Sequence, residues 1–355
     1  MCSSVNVGVQ EVAQQRLAAQ ELARGSYSRE AAPLLATITA TLTSHRSMEL
    51  AFLLNPYTIA SCAALTSTVW ANLLLAAFLL SLVQGRSLPA CLLLALATYQ
   101  SLYPGLLLVP LVLHRVRGME GGQRLAEVST IVATFAAALA GLLVVSAEIC
   151  GDWSFLAATY GFILSVPELS PNMGIFWYFF TEMFDHFRLF FVWTFQLNLA
   201  VYLAPLAIRF PDQPLLLSTT LVGLTAVFKS YPGVGDLGFF LSLLPLFSHL
   251  LPFMKQTFVI GGMLVATTVL APIAWQLWIY NNSANANYYF AINLVYSTAQ
   301  IFLITDLLFA QVKEIFMSSR LTRILQVKRD FYLTKGFSLL EQEDDQGRRP
   351  TLQLK

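Results

Sequence analysis

The pattern of apolar and polar residues along the chain predicts a bundle of helices that cross a membrane. From Glu49 onward, long apolar stretches alternate with short polar connections, and about 20 apolar residues suffice for a helix to cross a bilayer. We predict roughly nine spans, at 63–82, 88–102, 105–113, 126–147, 188–208, 214–228, 237–251, 258–278 and 289–310. The third is too short to cross completely, and a partial segment at 50–59 is interrupted at Asn55 and Pro56.

These spans divide the chain into a polar N-terminal arm at 1–48, a multi-spanning membrane domain at 49–312 and a C-terminal tail at 313–355. The arm contains no apolar run of the kind found in a cleavable signal peptide, so we expect the first internal spans to direct membrane insertion. The predicted fold class is therefore an all-α polytopic membrane protein.

Composition supports this fold class and excludes several functions. Hydrophobic residues make up 56% of the chain and charged residues 12%, whereas soluble domains carry about 25% charged residues. The net charge of +1 gives no electrostatic footprint for nucleic acid. The four cysteines show no paired spacing, so neither a zinc site nor a disulfide framework is predicted. We predict no cofactor and no nucleic-acid partner.

The basic residues fall at alternate connections between the spans, which predicts the orientation of the chain. They are Arg86, Arg115, Arg117, Arg124, Arg209, Lys255, Arg320, Arg323, Lys328 and Arg329. The positive-inside rule places these connections and the C-terminal tail in the cytosol. The connections that remain then share the opposite side of the membrane, and they lie at 99–104, 148–186, 229–236 and 280–287.

One connection, residues 228–236, interrupts two almost uncharged stretches with Lys229 and Asp236. Ionised groups near membrane depth are costly unless they are paired or hydrated, and they usually mark function. Pro232 and two nearby glycines prevent a continuous helix, and an irregular backbone at this depth must line a cavity or be buried in protein. Three roles are open to Lys229: its side chain extends to the membrane interface, pairs with Asp236, or attracts an anionic lipid phosphate.

Two other non-cytosolic connections carry candidate contacts for a lipid. The loop at 280–287 is rich in asparagine, which favours turns but also offers hydrogen bonds to sugar hydroxyls or phosphate. The connection at 148–186 is apolar and aromatic, which is typical of a segment that anchors in the headgroup plane or that grips a lipid. Its charged residues Glu182, Asp185 and His186 are candidates for an acid–base or metal cluster, but no second histidine stands at ligand spacing. Glu182 and Asp185 are therefore interpreted as helix caps or partner-facing charges.

No motif for a self-contained catalytic site occurs in the sequence. There is no nucleophile elbow, no P-loop and no HExxH sequence, so we predict neither catalytic residues nor a metal site.

Six segments in chain order resemble the PIG-U family, the polytopic membrane subunit of the endoplasmic-reticulum GPI transamidase. They lie at 55–59, 95–104, 160–167, 176–180, 228–232 with Gly235 and Asp236, and 277–280 followed by 283–285. The resemblance runs from Leu53 to Lys355. The family normally has hydrophobic spans before the first of these motifs, and residues 1–48 contain none, so we expect those N-terminal spans to be missing here.

The resemblance implies a bundle like that of the GT-C glycosyltransferases, with short and broken helices, in the endoplasmic reticulum membrane. It implies a non-catalytic subunit that binds a GPI lipid and presents it on the lumenal side. The implied partners are PIG-K, PIG-S, PIG-T and a metallopeptidase-like subunit. The predicted lipid- or headgroup-binding residues are Lys229, Tyr231, Asp236, Ser283, Asn285 and Asn287.

An enzymatic alternative is a GT-C mannosyltransferase that uses a polyprenyl-phosphate sugar donor. Such enzymes place an acidic residue in their first lumenal loop to activate the acceptor hydroxyl. The early lumenal stretch at 99–104 has no carboxylate, which disfavours this alternative.

Overall fold

The computed structural model describes residues 45–341, with side chains described for residues 49–317. The predictions for the arm before His45 and for the end of the tail after Glu341 lie outside the described residues. Within residues 45–341 every regular element is helical, which confirms the all-α fold class.

The helices are numbered here in chain order through the described residues. They are α1 His45–Leu53, α2 Pro56–Ala63, α3 Thr68–Gln84, α4 Ser87–Ser101, α5 Leu108–Arg115, α6 Gly121–Cys150, α7 Phe162–Ser165, α8 Phe176–Glu182, α9 Asp185–Arg209, α10 Pro214–Phe228, α11 Val234–Leu243, α12 Thr257–Trp275 and α13 Ala286–Glu341. Shorter 3-10 segments occupy Tyr103–Leu107 and Leu244–Phe253, and π-helical turns occupy Ala157–Gly161 and Gln276–Tyr280.

Helices cover each of the predicted spans, but the count of nine crossings is not confirmed. Among the described residues, five helical stretches are long and apolar enough to cross a membrane, and they are Gly121–Cys150, Asp185–Arg209, Val234–Phe253, Thr257–Tyr280 and Ala286–Met317. Helices α3, α4 and α10 are apolar but shorter. Because α13 continues without a break past residue 312, the boundary between membrane domain and tail stays a prediction.

Helices α10 and α11 form the centre of the bundle. Leu217 on α10 and Phe239 and Phe240 on α11 are almost completely buried, together with Phe78 on α3. Helices α6 and α9, by contrast, are exposed along most of their length. Apolar side chains on such peripheral helices suit contact with lipid or with another membrane protein.

The two ends of the bundle group the connections as the charge pattern predicts. At one end, Arg115 donates to the carbonyl of Gly85 over 3.0 Å, and Arg117 pairs with Asp212 over 3.4 Å. At the other end, the Tyr160 hydroxyl donates to the carbonyl of Tyr99 over 2.6 Å. Connections that were expected to share a side therefore meet, while the assignment of the basic end to the cytosol stays a prediction.

Asp306 on α13, a residue to which the sequence assigned no role, binds the start of α12. Its buried carboxylate accepts hydrogen bonds from the backbone N–H groups of Lys255, at 3.0 Å, and Gln256, at 2.9 Å. These N–H groups precede the first turn of α12, where no carbonyl of the same helix can accept them. Asp306 thus acts as a helix cap supplied by a neighbouring helix.

We expect Asp306→Ala to lower the free energy of unfolding by about 0.5–2 kcal/mol, the range measured for lost helix caps. Thermal unfolding of the detergent-solubilised chain measures this loss. Asp306→Asn keeps one amide oxygen as an acceptor and should lose less. Equal melting temperatures for Asp306→Ala and the unchanged chain would contradict the capping role.

Candidate functional site

The polar break at residues 228–236 separates α10 from α11. Lys229 ends α10 in an extended conformation, with φ −72° and ψ 152°, and Gly233 is extended before α11 begins. Proline cannot donate a backbone hydrogen bond, so Pro232 cannot continue the ladder of α10. The Asp236 carboxylate accepts the N–H of Gly233 over 2.7 Å and caps α11. The predicted break is confirmed, and Asp236 caps the helix that follows it.

Lys229 and Asp236 form an ion pair. The Lys229 Nζ lies 2.5 Å from the Asp236 Oδ2, and the two side chains are only 14% and 16% exposed. The structure therefore contains the pairing that the sequence analysis gave as one alternative. A contact of Lys229 with lipid phosphate stays a prediction. The ion pair is compatible with that contact, because an ammonium group has three hydrogen-bond donors.

A hydrogen-bond network around the buried Ser230 joins this break to α7, to α9 and to the 3-10 segment at Tyr103–Leu107. The hydroxyl of Ser230, which is fully buried, donates to the carbonyl of Ile163 over 2.9 Å. Gln196 on α9 donates to the same hydroxyl over 2.7 Å, and the Tyr103 and Ser230 hydroxyls are 2.9 Å apart. Three other segments of the chain thus hold Ser230, the residue next to Lys229, in place.

A small cavity lies next to the ion pair. Its volume is about 30 Å³, and its polar lining comes from Asn72, Tyr103, Thr225 and Asp236. Because one water molecule needs about 10–15 Å³ on this measure, the cavity has room for a pair of waters and is far too small for an acyl chain. An acyl chain that contacts the break therefore cannot occupy this cavity.

Tyr231 contributes to the structure of the break rather than standing free for a ligand. Its hydroxyl donates to the carbonyl of Glu168 over 3.1 Å, and its ring stacks on Phe162 with centroids 5.3 Å apart. Burial raises the pKa of the Tyr231 hydroxyl above its usual value, so the group remains a protonated donor at neutral pH. Lipid contact by Tyr231 stays a prediction.

The asparagine loop precedes α13 and uses its amide oxygens internally. The Asn285 Oδ1 accepts the N–H groups of Asn287, at 3.1 Å, and Tyr288, at 3.4 Å, and so caps α13. The Asn287 Oδ1 accepts the Tyr178 hydroxyl over 2.5 Å. Ser283 donates to the carbonyl of Leu277. Because both asparagines are exposed, their Nδ2 groups can serve as donors to a ligand.

An aromatic cluster packs beside this loop and holds α8 against α12 and α13. Trp177 on α8 is 3% exposed, and its ring lies 6.1 Å from that of Trp278 and 6.2 Å from that of Tyr289. Tyr178 stacks on Phe290 with centroids 4.3 Å apart. The aromatic stretch that was interpreted as an interfacial anchor or lipid grip is thus also a packing element.

The sequence analysis missed the buried amides that hold this end of the bundle together. Asn72 donates to the carbonyl of Gly235 over 3.0 Å, and Asn293 donates to the carbonyl of Asn172 over 2.6 Å. Gln196, described above, is a partly buried amide with a similar role. All of them lie inside apolar stretches. A polar amide in such a stretch is the sequence signal that could have identified them as contacts between helices.

Comparison with known proteins identifies the family of this chain. The family model described as GPI transamidase subunit PIG-U matches residues 10–296. The chain belongs to the PIG-U family. The match begins before Leu53, where the motif resemblance starts, so part of the predicted arm also resembles PIG-U proteins.

Curated PIG-U relatives agree with this assignment. The human GPI-anchor transamidase component PIGU is 40% identical over 294 residues, which are 81% of this chain and 64% of the human protein. The Saccharomyces cerevisiae GPI transamidase component GAB1 is 35% identical over 267 residues, which are 74% of this chain and 66% of the yeast protein. The chain thus spans slightly less than two thirds of the length of these relatives.

Proposed function

We propose that this chain is a non-catalytic subunit of a GPI transamidase that binds a GPI lipid and presents it on the lumenal side of the endoplasmic reticulum membrane. The names of the human and yeast relatives as transamidase components support the subunit role. In this proposal the partners are PIG-K, PIG-S, PIG-T and a metallopeptidase-like subunit, and the C-terminal tail lies in the cytosol.

The observation that carries the proposal is the set of donors at one end of the bundle. Lys229 supplies an ammonium group that is partly exposed beside Asp236, and Asn285 and Asn287 supply exposed amide N–H groups. A GPI headgroup presents phosphates and sugar hydroxyls, which accept hydrogen bonds, and charged donors bind phosphate most strongly. The exposed rings of Tyr280 and Tyr288 beside the asparagine loop suit the boundary between lipid and water.

The interactions of the two charged residues support a binding role over a catalytic one. Asp236 is occupied by the ion pair with Lys229 and by the N–H of Gly233. A general base must instead be free to take a proton from a reacting group. The pair is therefore suited to holding a ligand in place.

We expect the double variant Asn285→Asp with Asn287→Asp to abolish most GPI anchoring. Aspartate keeps the oxygens that cap α13 and accept the Tyr178 hydroxyl, but it removes the N–H donors and repels phosphate. The loss of hydrogen bonds to a charged group at each position, about 1.5–3 kcal/mol, corresponds to a decrease of at least about tenfold in lipid affinity. Flow cytometry of GPI-anchored proteins, in cells that lack the endogenous subunit, measures the effect.

The matched control is Asn281→Asp with Asn282→Asp, which adds the same two negative charges in the same loop outside the proposed site. Both variants should capture the other transamidase subunits as well as the unchanged chain does. Normal surface anchoring by the variant at Asn285 and Asn287 would contradict the headgroup assignment.

A further inference from the structure

The two halves of the proposed headgroup site are joined by a short segment of the lumenal loop, residues 172–174, which we term the strap. One half is the break that carries Lys229 and Asp236, and the other is the asparagine loop with the start of α13. Each half has its own internal hydrogen bonds, described above. The strap adds direct contacts to both.

Two contacts fix the strap to α13. The Asn293 Nδ2 donates to the carbonyl of Asn172 over 2.6 Å, and Asn293 is completely buried. The Tyr289 hydroxyl donates to the Met173 sulfur over 3.4 Å. The Met173 side chain also packs against both the main hydrophobic core and the aromatic cluster. Asn293 and Tyr289 lie four residues apart, so they lie on one face of the helix.

The other end of the strap lies directly against the break. A Cβ at Gly174 would lie 2.7 Å from the Cγ and Cδ atoms of Pro232, which is closer than real Cβ contacts come. The Gly174 N–H donates to the Asn172 side-chain oxygen over 2.7 Å, so the turn of the strap is itself fixed. Only glycine permits this approach, and a larger residue must move the strap or Pro232.

We infer that the strap sets the separation of the break and the asparagine loop, so that one headgroup can contact both halves at once. This inference rests on the proposed function. Asn293, Tyr289 and Gly174 are then positioning residues, which act through the strap and touch no ligand. When two sets of contacts are held at a fixed separation, the second set binds as an intramolecular event and adds to affinity.

The test compares two probes on the purified chain in detergent: a fluorescent GPI lipid with a complete glycan and ethanolamine phosphate, and fluorescent phosphatidylinositol, which lacks both. We expect Gly174→Ala to weaken binding of the GPI lipid by about tenfold, which equals 1.4 kcal/mol. Binding of phosphatidylinositol should change by less than about twofold, since that lipid cannot contact both halves. A general folding defect would lower binding of both lipids together.

Gly261→Ala on α12 is the matched control, because a Cβ there meets no atom within 4 Å. If Gly174→Ala does not give monodisperse protein, Tyr289→Phe and Asn293→Leu carry the same test, since each removes one bond from α13 to the strap.

The outcomes separate the two claims. If the unchanged chain shows no preference for the GPI lipid over phosphatidylinositol, the proposed function is wrong. If it shows the preference and the strap variants retain it, the strap inference alone is wrong.

Discussion

Lys229→Met is expected to destabilise the protein by about 3–5 kcal/mol, the cost of removing one partner from a buried ion pair. Asp236 would lose the ammonium group 2.5 Å away, in a site where its own side chain is only 16% exposed. The carboxylate could not move away easily, because it also accepts the N–H of Gly233 and so caps α11. Since α11 is at the centre of the bundle, we expect the loss of stability to affect the whole fold rather than the break alone.

The companion variant, Lys229→Met with Asp236→Asn, removes the stranded charge and keeps an oxygen that can accept the Gly233 N–H. We expect it to recover most of the lost stability, because replacing both partners of a buried pair is often close to neutral. The yield of monodisperse protein and the unfolding temperature measure both effects. If the companion were as unstable as Lys229→Met alone, the loss could not be assigned to the unpaired charge.

Gly238→Val is expected to cost about 3 kcal/mol, the upper part of the range for overpacking a close helix contact. A Cβ at Gly238 would lie 2.8 Å from the Thr58 side chain and 3.1 Å from the Thr58 backbone nitrogen. The backbone of α2 cannot give way as a flexible side chain can. Asn55 also donates to the Gly238 carbonyl over 3.4 Å, so the two helices would lose this bond as they separate.

Gly262→Val is the matched control for this prediction. It introduces the same β-branched residue in α12, where a Cβ meets no atom within 4 Å, so it should carry little more than the modest helix-propensity difference between these residues. Thermal unfolding of the two variants under the same conditions gives the comparison. Similar melting temperatures would show that α2 does not need the close approach at Gly238.

The break could be predicted, with the ion pair as one of three alternatives for Lys229, because the signals are local. Lys229, Pro232 and Asp236 lie within eight residues of one another in an apolar stretch, and the cost of charge and of broken backbone at membrane depth applies wherever they occur. The apolar pattern likewise located the helices. The number of membrane crossings could not be predicted from the apolar pattern, because α3, α4 and α10 are shorter than a full span. How deeply such short helices insert depends on their packing against other helices.

The use of each amide could not be predicted because it depends on contacts between distant parts of the chain. Asn293 and Asn172 are 121 residues apart in sequence, and Tyr178 and Asn287 are 109 residues apart. An asparagine oxygen that caps a helix and one that is open to a ligand have the same local sequence signal. The sequence offered both the donors and the acceptors of these amides as contacts for a ligand. In the structure the Oδ1 atoms of Asn285 and Asn287 already accept internal hydrogen bonds, so the proposed contacts are their Nδ2 donors.

Photo-crosslinking in cells tests the central claim, lipid binding at the asparagine loop, most directly. A photoreactive phenylalanine analogue replaces Tyr288, which is 65% exposed beside Asn287, or Phe258, which is 93% exposed at the start of α12. Mass spectrometry then identifies the attached lipids. We predict that GPI lipid is attached at position 288 and that only bulk phospholipid is attached at position 258. Bulk phospholipid alone at both positions would contradict the proposed site.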